Sequence, residues 1–203
     1  MKYNKYYSNR DVISLFSGAM GLDIGLQQAG LNIVIGQDYE HACVETMKAN
    51  KHRVLEGDIR EIDPEQLLKI TGLNVGEPFL ICGDPPCQPF STAGKRLGIN
   101  DPRGSLFMDF IRIIEYIKPR FFVMENVKGL MSSPLKHVPN ETRDENDPKQ
   151  KLGTVLDVIL AEFNKLGYKT VYGILDAVNY GVPQFRERFV MIGSRDQDRK
   201  SVV

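Results

Sequence analysis

Short apolar runs alternate with amphipathic segments of helical period along most of this chain. Apolar runs of about four to eight residues between turn residues predict buried strands, whereas a recurrence every three or four residues predicts helices. The predicted strands cover residues 11–16, 32–36, a short run at 54, 79–82, 121–124, 168–175 and 188–192. The predicted helices cover residues 21–30, 40–50, 64–70, 105–117 and 152–166. Because strands alternate with helices, the sequence predicts an α/β fold with a doubly wound, mostly parallel sheet of seven strands.

Glycines, acids and a cysteine follow several of the predicted strands where those strands end. They occupy residues 16–18, 38–39, 58, 83–87 and 125–126. Ligands of open α/β sheets bind beyond the carboxyl ends of the strands. The pattern therefore predicts a binding site along this edge of the sheet.

Two segments lack a regular pattern. Residues 85–104 form a long loop rich in Gly, Ser and basic residues, and residues 131–151 are polar and contain three prolines. The second segment is typical of a solvated insertion. We expect one domain over residues 1–203, with a flexible insertion at about 131–151.

The charge balance limits what the chain binds unaided. Its 203 residues include 26 basic and 26 acidic side chains, so the formal net charge is zero. A protein that holds nucleic acid by itself usually has a basic excess, because phosphate contacts supply much of its affinity. The composition therefore argues mildly against unaided nucleic-acid binding.

Cysteine usage and hydropathy exclude several further classes. The three cysteines, Cys43, Cys82 and Cys87, have no paired spacing, so neither a disulfide framework nor a zinc site is favoured. The polar N-terminal segment lacks the apolar core of a signal peptide, and no apolar run is long enough to span a bilayer. We expect a cytoplasmic protein with no membrane segment and no metal.

A turn between the first strand and helix contains Gly18 and Gly21, and an acid follows Gly18 by 20 residues. This acid, Asp38, ends the second strand, where a carboxylate accepts hydrogen bonds from ribose hydroxyls. Tyr39 is placed to lie against an adenine ring, and Asp58 to accept from its amino group. The pattern suits an adenosine-type ligand. A nicotinamide cofactor, or an ordinary turn beside exposed acids, stays open at this point.

Cys87 differs from the other two cysteines. Cys82 lies inside a predicted strand and Cys43 on a predicted helix, where a thiol serves as a small apolar group. Cys87 follows Pro85 and Pro86, whose fixed φ angles stiffen the backbone beyond a strand end. Basic and small residues follow it: Ser91, Gly94, Lys95, Arg96 and Arg103. Because positive charge favours thiolate, Cys87 is a candidate nucleophile.

Three further residues suit the chemistry of such a thiolate. Glu125 ends the fifth predicted strand, and a carboxyl with a pKa raised by burial serves as a proton donor. Arg186 and Arg188 alternate at a strand start, so their side chains point to one side. A solvated strand edge is the alternative interpretation of the two arginines.

These motifs together, and in this order, resemble the DNA cytosine-5 methyltransferases over nearly all of residues 11–194. Leu15-Phe16-Ser17-Gly18, Asp38-Tyr39 and Gly57-Asp58-Ile59 resemble the family's cofactor motifs. Pro85-Pro86-Cys87-Gln88 resembles the nucleophile loop, Glu125-Asn126-Val127 the base-binding motif, and Gln184-x-Arg186-x-Arg188 the late arginine motif. The triplet Pro-Cys-Gln alone would be a weak indication, whereas the full set is specific.

The resemblance implies a Rossmann-like, seven-stranded methyltransferase sheet and S-adenosylmethionine as the methyl donor. Cys87 would attack C6 of a flipped cytosine, Glu125 would hold N3 and the exocyclic amine, Arg188 would hold O2, and Arg186 would position the loop. The implied cofactor residues are Phe16, Gly18, Asp38, Tyr39, Asp58, Ile59, Pro86 and Leu106. The implied contacts to double-stranded DNA are Ser91, Lys95, Arg96 and Arg103. The implied setting is a bacterial restriction–modification system.

The chain departs from the family in two ways. Asp38 stands where the family more often has Glu. The family's target-recognition region and the C-terminal helix that completes its cofactor pocket are missing, so we expect a fragment or one subunit of a split enzyme. An RNA substrate and a non-catalytic, cofactor-binding chain are the alternatives to DNA methylation.

Overall fold

Seven strands and five helices form the part of the chain that the computed structural model describes, residues 10–86, 106–135, 138, 142–144 and 146–195. The strands are β1 Asp11–Leu15, β2 Asn32–Asp38, β3 Val54–Glu56, β4 Leu80–Gly83, β5 Phe121–Val127, β6 Lys169–Asp176 and β7 Glu187–Ser194. The helices are α1 Gly21–Gln28, α2 His41–Ala49, α3 Pro64–Thr71, α4 Leu106–Ile117 and α5 Thr154–Lys165. Each predicted element is present, with ends that differ by a few residues.

The strands form a seven-stranded sheet in the order β3-β2-β1-β4-β5-β7-β6. β1 pairs in parallel with both β2 and β4, and β2 pairs in parallel with β3. The strand order reverses between β1 and β4, which is the kind of position where doubly wound sheets bind ligands. The predicted α/β class and seven-stranded sheet are confirmed.

Tertiary contacts divide the chain into two compact units. The first comprises Met1–Gly83, Arg112–Val123 and Ser194–Val203, and the second comprises Asp84–Ile111 and Met124–Gly193. A single domain over residues 1–203 stays a prediction. So does the flexible insertion, although described residues at its ends are bonded: the Leu135 amide donates to Thr154 Oγ1 at 3.0 Å, and the Val155 amide donates to the Ser133 carbonyl at 3.2 Å.

In the first unit, β1 is a deeply buried strand. Val12, Ile13 and Leu15 are all fully buried, as expected for a strand with neighbours on both sides and helices on both faces. Met20 packs with Val44 and Met47 of α2 in a separate apolar cluster. The packing holds the turn after β1 against α2.

Helix α3 shows why the sequence pattern located the helices well. Asp63 caps its start by accepting a hydrogen bond from the Glu65 amide at 3.0 Å, and Pro64 occupies the first turn. Gly72 ends the helix with a left-handed φ of 75°. These are local signals that need no tertiary contact.

β5 alternates between two environments. Phe122, Met124 and Asn126 are fully buried, whereas the residues between them are partly exposed. The alternation leaves Glu125 half-buried, where it reaches both protein and solvent.

No helix in the described residues is both long enough and apolar enough to cross a membrane.

Gly36 in β2 is expected to tolerate no side chain. A Cβ there would lie 2.8 Å from Met47 Sδ and 3.1 Å from Ser17 Oγ. Because Met47 is fully buried, we predict that Gly36→Ala lowers the free energy of unfolding by about 1–3 kcal/mol in urea titrations.

Gly25→Ala is the matched control for this substitution. Gly25 lies in α1, where an added Cβ would meet nothing within 4 Å, so alanine there should stabilise the chain by about 0.5–1 kcal/mol. Equal stabilities for the two variants would contradict the packing argument.

Candidate functional site

The turn after β1 has an unusual backbone. Phe16, Gly18 and Met20 all take left-handed φ values, of 54°, 54° and 65°. For a residue with a side chain this conformation costs roughly 1–2 kcal/mol. Gly21, the second glycine of the turn, begins α1, and the other left-handed positions are Phe16 and Met20. Contacts from elsewhere must therefore hold the turn.

The end of β2 supplies those contacts. The Ser17 amide donates to the Gln37 carbonyl at 2.9 Å, and the Gly18 amide donates to Asp38 Oδ2 at 2.8 Å. The Phe16 amide donates to the Gln37 side-chain oxygen at 3.3 Å. Three successive amides of the turn are thus bonded to two successive residues of β2.

Gln37 was not predicted from the sequence. Its side chain is 1% exposed, and its Nε2 donates to the Gly57 carbonyl at 2.7 Å while its oxygen accepts from Phe16. One carboxamide therefore joins the turns that follow β1 and β3. The signal for it was weak: an amide at the end of a buried strand, beside the more conspicuous Asp38.

Asp38 has its carboxylate facing the glycine turn. Its Oδ1 also accepts from the Glu40 amide at 2.9 Å, and the residue is 8% exposed. A carboxylate has about four acceptor positions, so the two amides leave capacity for further donors. A Cβ at Gly18 would meet nothing within 4 Å, so a ligand has access to the backbone beside this carboxylate.

The other predicted cofactor residues of the first unit lie around this turn and the next. Tyr39 is 65% exposed, which leaves its ring face available to a ligand, whereas Ile59 is only 2% exposed. Asp58 forms an ion pair with Arg60, whose guanidinium and amide hold the pKa of that carboxyl below its usual range. An adenine amino group would share Asp58 with Arg60, a competitor that was not predicted from the sequence.

A polar cluster of Ser14, Ser17, Asp23 and Cys82 lies beneath the turn after β1, on its core side. Ser17 Oγ donates to Ser14 Oγ at 2.8 Å, and the Cys82 thiol donates to Asp23 Oδ1 at 3.5 Å. Burial raises the pKa of both Asp23 and Cys82. Burial likewise raises the pKa of Cys43. These two thiols are therefore poorly suited to act as thiolates, in agreement with the structural roles predicted for them.

In the second unit, β5 and β7 bring Glu125 and Arg188 together. Arg188 Nε lies 3.0 Å from Glu125 Oε1, and the two side chains are 26% and 20% exposed. Asn126, fully buried, donates to the Pro85 carbonyl at 3.0 Å. The Glu-Asn pair thus contacts both an arginine and the start of the Pro-Pro segment.

Asp84 joins this group, although no role was predicted for it from the sequence. Its side chain is hydrogen-bonded to Glu125. Burial, followed by the contact with Asp84, raises the pKa of Glu125 to about 8, against the opposing charges of Arg188 and Arg186. Much of the Asp84 surface is open to solvent, yet desolvation by the surrounding protein raises its pKa as well.

Arg186 and Arg188 line one cavity of about 250 Å³, together with Leu175, Ala177 and Tyr180. The shared cavity agrees with the predicted alternation of the two side chains. The Arg186 amide donates to Asp176 Oδ1 at 2.8 Å, which ties the residue before β7 to the end of β6.

The remaining predicted residues contribute less geometry. Pro86 and Leu106 are both half-buried. The proposed nucleophile and the predicted DNA contacts lie outside the described residues: Cys87, Ser91, Lys95, Arg96 and Arg103.

Comparison with known proteins identifies the family of this chain. The family model of C-5 cytosine-specific DNA methylases matches residues 10–203. The chain belongs to this family. Its members use S-adenosylmethionine as the cofactor, and the open backbone at Gly18 beside the Asp38 acceptors suits that group's amino-acid and ribose moieties.

The curated relatives are Type II methyltransferases. That of Fusobacterium nucleatum (M.FnuDI) is 42% identical over 91% of this chain and 46% of its own length. That of Picosynechococcus (M.AquIA) is 38% identical over 92% of this chain and 72% of its own length. The chain spans about half the length of M.FnuDI and of most other curated relatives it matches.

Solved structures share the fold. A DNA modification methyltransferase encoded within an E. coli prophage has a TM-score of 0.73 at 22% identity, over 95% of this chain and 49% of that one. Spodoptera frugiperda DNMT2 has a TM-score of 0.67 at 26% identity, over 94% and 51%.

We predict that Gln37→Glu weakens the turn after β1 in a pH-dependent way. At neutral pH a glutamate leaves the Gly57 carbonyl without its donor, which costs about 1–3 kcal/mol of stability. Because the turn is weakened, we expect the S-adenosylmethionine affinity to fall about tenfold in calorimetric titrations. This loss corresponds to about 1.4 kcal/mol of binding free energy. At acid pH the protonated glutamate regains a donor, and much of the loss should disappear.

Gln27→Glu provides the matched control, because Gln27 is exposed on α1. It should change neither stability nor affinity appreciably. A Gln37→Glu variant that binds the cofactor as tightly as the parent chain would overturn the role assigned to Gln37.

Proposed function

We propose that this chain is the cofactor-binding and catalytic part of a DNA cytosine-5 methyltransferase from a bacterial restriction–modification system, acting in the cytoplasm. The observation that carries the proposal is the contact of Glu125 with Arg188, in which Glu125 has a pKa raised to about 8. A carboxyl that keeps its proton near neutral pH can donate to a ring nitrogen. A guanidinium beside it can hold an adjacent exocyclic oxygen.

The first unit supplies most of the proposed cofactor residues. The bound S-adenosylmethionine supplies an electrophilic methyl group. Asp38 would accept from the ribose hydroxyls, Tyr39 would lie against the adenine, and the turn at Phe16 and Gly18 would face the amino-acid part. The other residues proposed to contact the cofactor are Asp58, Ile59, Pro86 and Leu106.

Cys87 is the proposed nucleophile. Its thiolate would add to C6 of cytosine, forming a C–S bond and moving ring electrons toward C5, which then accepts the methyl group. Loss of the C5 proton and departure of the thiolate would restore the aromatic ring. A proton from Glu125 at N3 would stabilise the negative charge that develops on the ring.

The arginines and the loop after Cys87 would hold the substrate. Arg188 would donate to the cytosine O2, and Arg186 would position the loop. Ser91, Lys95, Arg96 and Arg103 would contact DNA phosphates. Because C6 is inaccessible within a stacked duplex, the target cytosine must be flipped out.

Target recognition is proposed to come from a region outside these 203 residues, either a continuation of the same protein or a second chain. A net charge of zero supports the proposal, since phosphate binding normally draws on a basic excess. Large apolar side chains are also exposed on the second unit, including Tyr180 at 68% and Phe185 at 86%. Exposed apolar groups of this size suit a protein partner.

We predict opposite defects for substitutions in the two units. In the enzyme reconstituted with its recognition region, Cys87→Ala should abolish covalent capture on 5-fluorocytosine DNA while S-adenosylmethionine still binds. Asp38→Ala should weaken cofactor binding about tenfold or more, because a charge-assisted acceptor is lost. Capture is measured by denaturing gel shift, and cofactor affinity by calorimetry.

Cys43→Ala is the control for the thiol substitution, since Cys43 lies on α2 with a raised pKa. It should leave capture intact. Capture that survives in Cys87→Ala would sink the covalent mechanism, and capture on RNA instead of DNA would transfer the proposal to an RNA substrate.

We also predict that the 203-residue chain alone methylates DNA poorly, and without the sequence preference of the reconstituted enzyme. Tritiated methyl incorporation into matched duplexes would measure both. Full, sequence-specific activity from this chain alone would contradict the proposed dependence on an additional region.

A further inference from the structure

Two neighbouring residues of β5 hold two neighbouring residues of the segment that leads to Cys87. Asn126 donates to the Pro85 carbonyl at 3.0 Å, and Glu125 is hydrogen-bonded to the Asp84 side chain. Asn126 and Pro85 are buried, so this contact fixes where the backbone of the segment lies. The hydrogen bond between Asn126 and Pro85 therefore holds Asp84 next to Glu125 without using either carboxyl group.

Two carboxyl groups in hydrogen-bond contact need a proton between them, because an ionised carboxylate only accepts. Without that proton the pair would also repel. The Glu125 side chain is 20% exposed, whereas Asp84 is one of the exposed residues. Water stabilises the ionised form of the more exposed group, so the proton belongs on Glu125 and the charge on Asp84.

We propose that Asp84 is a positioning residue that keeps Glu125 in its acid form, so that Glu125 has a proton to donate when the substrate base enters. This inference rests on the proposed role of Glu125 as donor to the ring nitrogen. No covalent bond changes in this step: the Glu125 O–H donates to Asp84 in the free protein and to the base in the complex.

Charged groups face Glu125 from both flanking segments. Asp84 approaches from the segment after β4, and Arg186 and Arg188 approach from the start of β7. The arginines favour ionised Glu125 and lower its pKa, whereas burial and Asp84 raise it, to about 8. With one proton held, the two guanidiniums outnumber the single carboxylate, and the cluster keeps a positive charge that suits the electron-rich oxygen of the base.

These charges determine the direction in which the pKa of Glu125 moves when Asp84 is replaced. Removing the negative charge of Asp84 leaves burial opposed by two arginines, so the pKa of Glu125 should fall toward its ordinary value of 4.5. Wild-type Glu125 is protonated below about pH 8 and loses its proton as the pH rises through that value. In Asp84→Asn, the same loss should occur at lower pH.

The experiment is a carbon-13 carboxyl NMR titration of the 203-residue chain without cofactor or DNA. The Glu125 resonance is assigned by its disappearance in Glu125→Gln. We expect Asp84→Asn to lower the Glu125 midpoint by more than about one pH unit, a large shift compared with ordinary variation. Asp84→Ser also removes the charge and should lower the midpoint in the same way, so it replaces Asp84→Asn if that variant folds poorly.

Glu187→Gln is the matched control. Glu187 lies between the two arginines in sequence, but its carboxylate pairs with Lys128 at 2.8 Å and is not bonded to Glu125. It should shift the Glu125 midpoint by no more than a few tenths of a unit.

Two results would overturn the inference: a wild-type Glu125 that titrates near its ordinary value of 4.5, or a midpoint that Asp84→Asn and Asp84→Ser leave unchanged. The pH profile of covalent capture in the reconstituted enzyme provides a second readout, whose alkaline limb should move to lower pH in Asp84→Asn. If Asp84→Asn lowers the Glu125 midpoint but the parent enzyme captures no substrate, the inference about the proton is supported and the proposed function is refuted.

Discussion

The amides of Phe16, Ser17 and Gly18, in the turn after β1, need acceptors from another segment of the chain. Left-handed residues at Phe16, Gly18 and Met20 turn these N–H groups away from regular pairing, and unpaired amides are costly when water is excluded. The end of β2 meets this need with the Gln37 carbonyl, the Gln37 carboxamide and the Asp38 carboxylate. The parallel pairing of β1 with β2 brings these acceptors within reach.

The same constraint explains the packing around the turn. Gly36 has no side chain because Met47 and Ser17 occupy the space where one would lie. Gln37 extends the arrangement to β3 by donating to the Gly57 carbonyl. The proposed ribose acceptor therefore belongs to a network in which the backbone of three strand ends is already held, so binding a cofactor requires little further ordering.

The second unit is organised by charge. Glu125, Asp84, Arg186 and Arg188 bring two acids and two bases together, and the contact between the two carboxyl groups makes the protonation of each depend on the other. A buried amide, Asn126, sets the backbone geometry through the Pro85 carbonyl. Rigid placement by a neutral group, combined with a titratable pair, suits a site that must both align a base and supply a proton.

The sequence by itself determined the α/β class, the order of the elements and most of the residues proposed for the site. These depend on local signals: apolar period, caps such as Asp63 and Gly72, and motif residues at strand ends. The roles of Gln37 and Asp84 were revealed only by the tertiary structure. A glutamine or aspartate beside a strand has no local feature that reveals its partner, because Phe16 and Gly57 lie about twenty residues away and Glu125 about forty. Likewise, the pKa of Glu125 depends on burial and on charges from distant segments, and only folding brings these together.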